Sequence, residues 1–189
     1  MTPKFKRLSD SVTHSDHMSK VIRLYFNDKS GKEISEMLNN QSTYVTQEPL
    51  TYRQLNHWEE SGLLPERVGT GWRRFGLVEA LWAHTINELR STFEVRLEGI
   101  KKIMECLTTG PNRYKAFMPV LEIYVSEALT RKRQVYLVVF EDKSAAPADV
   151  EMLTEILKKH KPGHLLLVDI NKILETLLPK YDWALNPTD

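Results

Sequence analysis

The chain has 189 residues, 41% of them hydrophobic and 27% charged, with a net charge of +1 and a single cysteine, Cys106. That length holds one or two globular domains with an adequate core, and a lone cysteine excludes an intrachain disulfide, as expected in a reducing cytoplasm. No run of about 18 apolar residues points to a membrane span, and the basic start MTPKFKRLSD has no apolar stretch behind it, so no secretory signal is expected.

The near-neutral total hides an uneven distribution. Met1 to Lys32 carries seven Lys and Arg against three Asp, whereas Gln134 onward carries six Lys against nine Asp and Glu. A basic front and an acidic back suit a module that meets nucleic acid joined to one that stays off it.

Residues 1–19 have little apolar content beyond Phe5, Leu8 and Val12, and are expected to form a flexible basic arm. His14-Ser15-Asp16-His17 contains metal-ligand residue types, but no further ligands stand at zinc spacing, so no metal is assigned. Val21 to Phe26 is a short apolar run compatible with helix or strand. Ser30-Gly31-Lys32-Glu33 reads as a start signal for a helix over Lys32 to Leu38, with Ile34, Met37 and Leu38 inward.

Thr51 to Phe75, TYRQLNHWEESGLLPERVGTGWRRF, organises the rest. Thr51 and Gln54 form a capping box that starts a helix, and Gly62 supplies the left-handed residue that ends it. Leu55 and Trp58 define a dry face, while Arg53, Asn56, His57 and Glu60 recur at i, i+3, i+4 and i+7 on the other. Two short arms around Gly69-Thr70-Gly71 then read as a small hairpin, on which Arg67, Arg73 and Arg74 are concentrated.

At these residues the chain resembles the MerR family of bacterial transcription regulators. His57-Trp58-Glu59-Glu60-Ser61-Gly62-Leu63-Leu64 stands where the family has an aromatic pair, an acidic residue and Gly-Leu-Leu. Gly71-Trp72-Arg73-Arg74-Phe75 stands where it has GYRRY, and Thr51 to Leu55 looks like the branch reading TYRQLDYW. The likeness continues more weakly to Leu107. Asn56 replaces the family's usual Arg and His57 its first aromatic, changes that bear on base preference and leave the helix intact. The resemblance implies a winged helix-turn-helix whose first helix is Lys32 to Leu38 and whose recognition helix is Tyr52 to Ser61. Arg53, Asn56 and His57 are then the base-reading candidates, and Tyr52, Arg67, Arg73 and Arg74 the backbone candidates. Thr51, Thr70 and Trp72 complete the set, with Trp72 chiefly a buttress of the wing.

Leu77 to Leu89 and Val95 to Leu107 carry apolar stripes of helical period, the second resembling a family helix despite Gly99, which is expected to permit a close helix crossing. His84 reads as a surface or hydrogen-bonded histidine, and Cys106 as packed core. Beyond Thr108-Thr109-Gly110-Pro111, Tyr114, Met118, Leu121, Val125 and Ala128 recur at heptad spacing. Regular helix is expected from Pro119, which is allowed in a first turn, and Arg131-Lys132-Arg133 closes it. In MerR-type proteins this helix pairs with its mate, and the alternative here is packing on the C-terminal segment. Val135 to Phe140 is a strand by composition, Pro147 to Lys159 a helix, Leu165 to Val168 a second strand and Ile170 to Leu178 a closing helix. That order permits a small parallel βαβ unit.

The expected architecture is mainly α with small β: a flexible arm over 1–19, a MerR-like winged helix-turn-helix over 20–108, a connecting or dimerisation helix over 109–133, and a small C-terminal α/β domain, βαβ-like, over 134–189. The function implied by the resemblance is a cytoplasmic, homodimeric regulator that binds double-stranded DNA, with the C-terminal part available to a small-molecule effector or a second dimer contact. An architectural DNA-bending protein or excisionase is the alternative, disfavoured by the size of the C-terminal part. No catalytic residue, metal or cofactor is assigned: Asp142, Asp149 and Asp169 join no nucleophile–base pair, phosphate loop or metal spacing.

Overall fold

A computed structural model describes residues 16–41, 50–67, 73–108, 116–160 and 163–180, with the side chains of 16–19, 160 and 180 left aside. Among the described residues two helices come first, α1 (Asp16–Asn27) and α2 (Lys29–Asn39). The apolar run Val21 to Phe26 is therefore helical, and it turns Ile22 and Phe26 inward. Asp28 separates the two helices and caps α2, its carboxylate accepting from the amides of Ser30 at 3.0 Å and Gly31 at 3.3 Å. This cap starts α2 ahead of the expected Lys32. The corner is closed by Gly31, where an added Cβ would lie 1.9 Å from the Tyr25 carbonyl oxygen. Only a residue without a side chain lets α2 fold back this tightly on α1. Most of the expected arm lies outside the described residues, and its end already belongs to α1.

The short α3 (Tyr52–Glu60) is followed by the long α4 (Leu77–Ser91) and then α5 (Leu97–Thr108). Every apolar position expected to face inward on α4 is buried: Leu77, Val78, Leu81, Trp82, Ile86 and Leu89. The Trp82 indole N–H also donates to the Leu63 carbonyl at 2.8 Å, fixing the chain after α3 onto α4. On α5, Gly99 does not serve a helix crossing. The nearest atoms to an added Cβ belong to the side chains of Val95, at 3.0 Å, and Lys143, at 3.5 Å.

Next comes α6 (Pro119–Thr130), with proline in its first turn as its fixed φ favours. Its heptad seam does not face outward: Met118, Leu121, Val125 and Ala128 are all buried inside this chain, as are Val120 and Ile123 on other sides of the helix. Tyr114 lies outside the described residues. At roughly 1.5–3 kcal/mol for each large aliphatic side chain removed from water, the stripe is already satisfied by intramolecular packing. One apolar cluster runs from Ile22 through α4 and α6 to Leu177, so the front and back of the chain share a core.

The C-terminal part contains β1 (Val135–Phe140), β2 (Ala145–Asp149), α7 (Val150–His160), β3 (Leu165–Asp169) and α8 (Ile170–Leu177). The sheet order is β2-β1-β3 and both pairings are antiparallel. The expected adjacent parallel pair is thus corrected. A tight turn at Glu141 to Ser144, with Lys143 at φ 65°, sends the chain straight back as β2. The crossover through α7 then passes over β1, leaving β2 and β3 parallel but separated. The helix expected from Pro147 starts only at Val150, because Ala145 to Asp149 are in the sheet. Pro147 is tolerated there because β2 is an edge strand. Val135, Leu137 and Val139 face the large core, while Val138 and Phe140 pack with Ile156 of α7 on the opposite face.

A buried carboxyl joins front to back. Glu122 on α6 is fully buried, and its Oε2 accepts from the Asn39 side chain of α2 at 2.8 Å. Burial pushes its pKa above the ordinary carboxylate range, and hydrogen bonds from Ser35 and Asn39 lower it only in part.

Two predictions follow from this packing. Gly31→Ala should lower unfolding stability by about 3 kcal/mol, through backbone displacement at the corner, as measured by denaturant unfolding. For Glu122, a folded pKa above the unfolded one means stability present at acid pH and lost as pH rises through the folded value. Glu122→Gln keeps an acceptor for Asn39, so it should be the more stable form by about 1 kcal/mol near neutral pH, with the advantage vanishing near pH 4. Equal stability at both pH values would contradict the buried charge.

Candidate nucleic-acid interface

The site is built on α3. Both halves of the capping box form: the Gln54 amide donates to Thr51 Oγ1 at 3.3 Å, and the Thr51 amide donates to Gln54 Oε1 at 2.9 Å. Satisfying these terminal donors is what lets nine residues hold a helix. At the other end Gly62 takes φ 71°, and the Leu63 amide closes on the Trp58 carbonyl at 2.8 Å, the left-handed termination that glycine permits. Leu55 and Trp58 are buried. Tyr52, Arg53, His57 and Glu60 are exposed and Asn56 is half-buried, so the polar face points to solvent as its spacing requires. Thr51, Tyr52, Arg53, Asn56 and His57 line one shallow concavity.

The carboxylate of Glu59 ties this helix to the segment that follows. Its Oε1 accepts from the Arg67 amide at 2.8 Å, and its Oε2 accepts from Arg73 Nη1 at 2.7 Å. Burial alone would raise the Glu59 pKa, but the Arg67 amide and the charges of Arg73 and Arg67 outweigh it and hold the carboxyl below its ordinary range.

The three arginines have different surroundings. Arg73 is only 8% exposed. Its second guanidinium nitrogen donates to the Pro65 carbonyl at 2.5 Å, and its Cζ lies 4.7 Å from the centre of the Phe75 ring. Arg67 is exposed and reaches back to α3, Nη1 donating to the Tyr52 hydroxyl at 3.0 Å. Arg74 is exposed on the next residue. Thr70 and Trp72, with the rest of 68–72, lie outside the described residues, and so does the turn of the expected hairpin. Sequence reasoning gave Glu59 no role. Its signal was an acidic residue between two aromatic-flanked basic segments, which becomes informative only once the chain is known to double back.

Among the described residues no helix is long and apolar enough to cross a membrane. Comparison with curated proteins and with solved structures returned no match. Residues 49–107 match the family model described as MerR HTH family regulatory protein, a span that takes in α3, α4 and nearly all of α5. The capped helix, its glycine stop and the basic segment behind it thus lie inside the matched region, so this part of the chain is similar to the helix-turn-helix of the MerR family of DNA-binding transcriptional regulators.

Proposed function

We propose that the chain regulates transcription as a homodimer, with α3 entering the major groove of a specific duplex and the segment from Pro65 to Arg74 lying against the adjacent backbone as a wing. The observation that carries this reading is the shared surface of α3 and Arg67. Arg53, Asn56 and His57 project from the same helix whose Tyr52 is hydrogen-bonded to Arg67. A helix of this diameter fits the major groove, where base edges are distinguishable. Phosphate contacts by themselves set register without reading sequence.

Arg53, Asn56 and His57 are assigned to base edges. Tyr52, Arg67 and Arg74 are assigned to the backbone, with Thr51 at the helix start; Thr70 and Trp72, outside the described residues, complete the proposed set. Arg73 contributes differently from its neighbours, since its charge is already committed to Glu59. It holds the wing at a fixed angle to α3. With the α6 stripe buried inside the chain, the two copies meet through another surface.

Selection of duplexes from a random pool tests the whole reading. A two-fold symmetric consensus is expected, and absence of any enriched duplex at moderate salt would overturn it. The arginines then separate by readout. Arg53→Ala should reduce cognate affinity about tenfold more than random-duplex affinity, one bidentate base contact being worth this much. Arg67→Ala should weaken both alike and lower the slope of log affinity against log salt by about one. Arg73→Ala alone of the three should also lower unfolding stability, by about 2–3 kcal/mol, because it strands a partly buried carboxylate. Arg73→Lys should not restore it, lacking the planar fork. Equal unfolding curves for Arg67→Ala and Arg73→Ala would refute the distinction.

A further inference from the structure

α3 presents one more polar side chain on the face that carries Arg53, Asn56 and His57. Glu60 follows Arg53 by seven residues, close to two full turns of an α-helix, so the two stand in line along it. Both are exposed, and both line the shallow concavity on that face. At the ordinary helical rise they lie about 10.5 Å apart along the axis. Neither side chain forms a hydrogen bond or an ion pair among the described residues.

The neighbouring acid shows what a structural carboxylate does in this helix. Glu59 is half-buried, and its two oxygens are taken by the Arg67 amide and the Arg73 guanidinium. Glu60 has no such task. It is the last residue of α3, and no Lys or Arg stands in that turn, so the negative end of the helix dipole disfavours its charge. Phosphates disfavour it further when a duplex approaches. A carboxylate here is adverse to the helix and to non-specific binding alike, unless it meets a hydrogen-bond donor on the duplex. Major-groove edges differ in that respect. Guanine presents acceptors at N7 and O6, adenine sets its N7 acceptor beside its amino group, and thymine presents O4. Cytosine presents its N4 amino donor.

We propose that Glu60 determines base specificity by accepting from the N4 amino group of a cytosine, about three base steps from the pair read by Arg53. The spacing follows from the separation along α3 and a rise of about 3.4 Å per base pair. This assignment rests on the proposed entry of α3 into the major groove. Arg53 and Glu60 then discriminate by opposite charge: the guanidinium takes purine acceptors, and the carboxylate is repelled by them. Glu60 thus acts by exclusion as well as by attraction. On random sequence it meets acceptors and phosphates more often than cytosine, so it weakens non-specific binding while favouring one base pair.

The test repeats the duplex selection with Glu60→Gln and Glu60→Ala. The wild-type consensus should hold a cytosine in each half-site. Glu60→Gln should change that position to adenine, whose N6 and N7 suit an amide, and keep the rest. Glu60→Ala should lose preference at that position alone. Fluorescence anisotropy gives the magnitudes: replacing the C·G pair by T·A should weaken the wild type about tenfold and leave Glu60→Ala nearly indifferent. Glu60→Ala should also bind random duplexes more tightly than the wild type. Unfolding curves of both variants should overlay the wild-type curve, as expected for an exposed side chain without partners. The same consensus from Glu60→Gln as from the wild type, or weaker random-duplex binding by Glu60→Ala, would each overturn the role of Glu60 and leave DNA binding standing. Absence of any enriched duplex for the wild type would overturn the DNA-binding reading and this role with it, so the two failures are told apart.

Discussion

The two oxygens of Glu59 hold α3 to the basic segment that follows it. One fixes the backbone at Arg67 and the other the side chain of Arg73, so the chain leaving α3 and the chain leading into α4 are tied to one helical residue. A helix of nine residues would be marginal alone. Here its start is closed by a reciprocal cap, its end by Gly62 and its last turn by this carboxylate. At 8% exposure Arg73 exchanges most of its water for the ion pair, the Pro65 carbonyl and the Phe75 ring, while its Nε is buried without a hydrogen-bond partner. That use of one arginine leaves Arg67 and Arg74 on the outside.

A second constraint is the burial of α6. A helix expected to lend its stripe to another copy instead threads the middle of the fold, contacting both α2 in front and the sheet behind. The matched domain and the C-terminal sheet are consequently one packed body, with Leu38, Trp82, Leu121, Leu137 and Leu174 in a single cluster. A shift in α8 or β3 is therefore felt by α4 without a linker to absorb it, since interiors packed to crystalline density transmit displacement.

Helices with strong caps or clear apolar stripes were legible in the sequence. Thr51, Gln54 and Gly62 marked α3 through local chemistry alone, and the six apolar positions of α4 fell where the 3.6 period placed them. The misses share a physical cause. Ala-Ala-Pro-Ala-Asp has almost no β propensity and becomes a strand only because β1 offers it an edge, so Pro147 was read as a helix start rather than an edge residue. Missing β2 turned an antiparallel meander with a crossover into an apparent parallel unit. Arg67, Arg73 and Arg74 are one residue type in one short segment. Their division into surface and interior depends on Glu59 and Phe75, partners that only the tertiary fold brings close. The α6 stripe was visible as a stripe, but a stripe does not say which chain will cover it.

The buried acids divide in the opposite sense from Glu59, and this orders the response to acid. Burial raises the pKa of both Glu79 and Glu122, Glu79 despite the Gly76 amide and nearby Arg73, so their carboxyls bind protons first as pH falls. For these groups protonation relieves a desolvation cost, and the core gains stability on the way down. Glu59 has its pKa lowered by its partners, so its contribution persists above the unfolded carboxylate range and is lost only as pH drops through its own depressed value. Acid therefore loosens the link from α3 to Arg67 and Arg73 at a pH where the α2–α6 contact around Glu122 has become more comfortable. The link from α3 to Arg67 and Arg73 is the part whose geometry depends on a charge, while the shared core behind it holds its acids best when they are neutral.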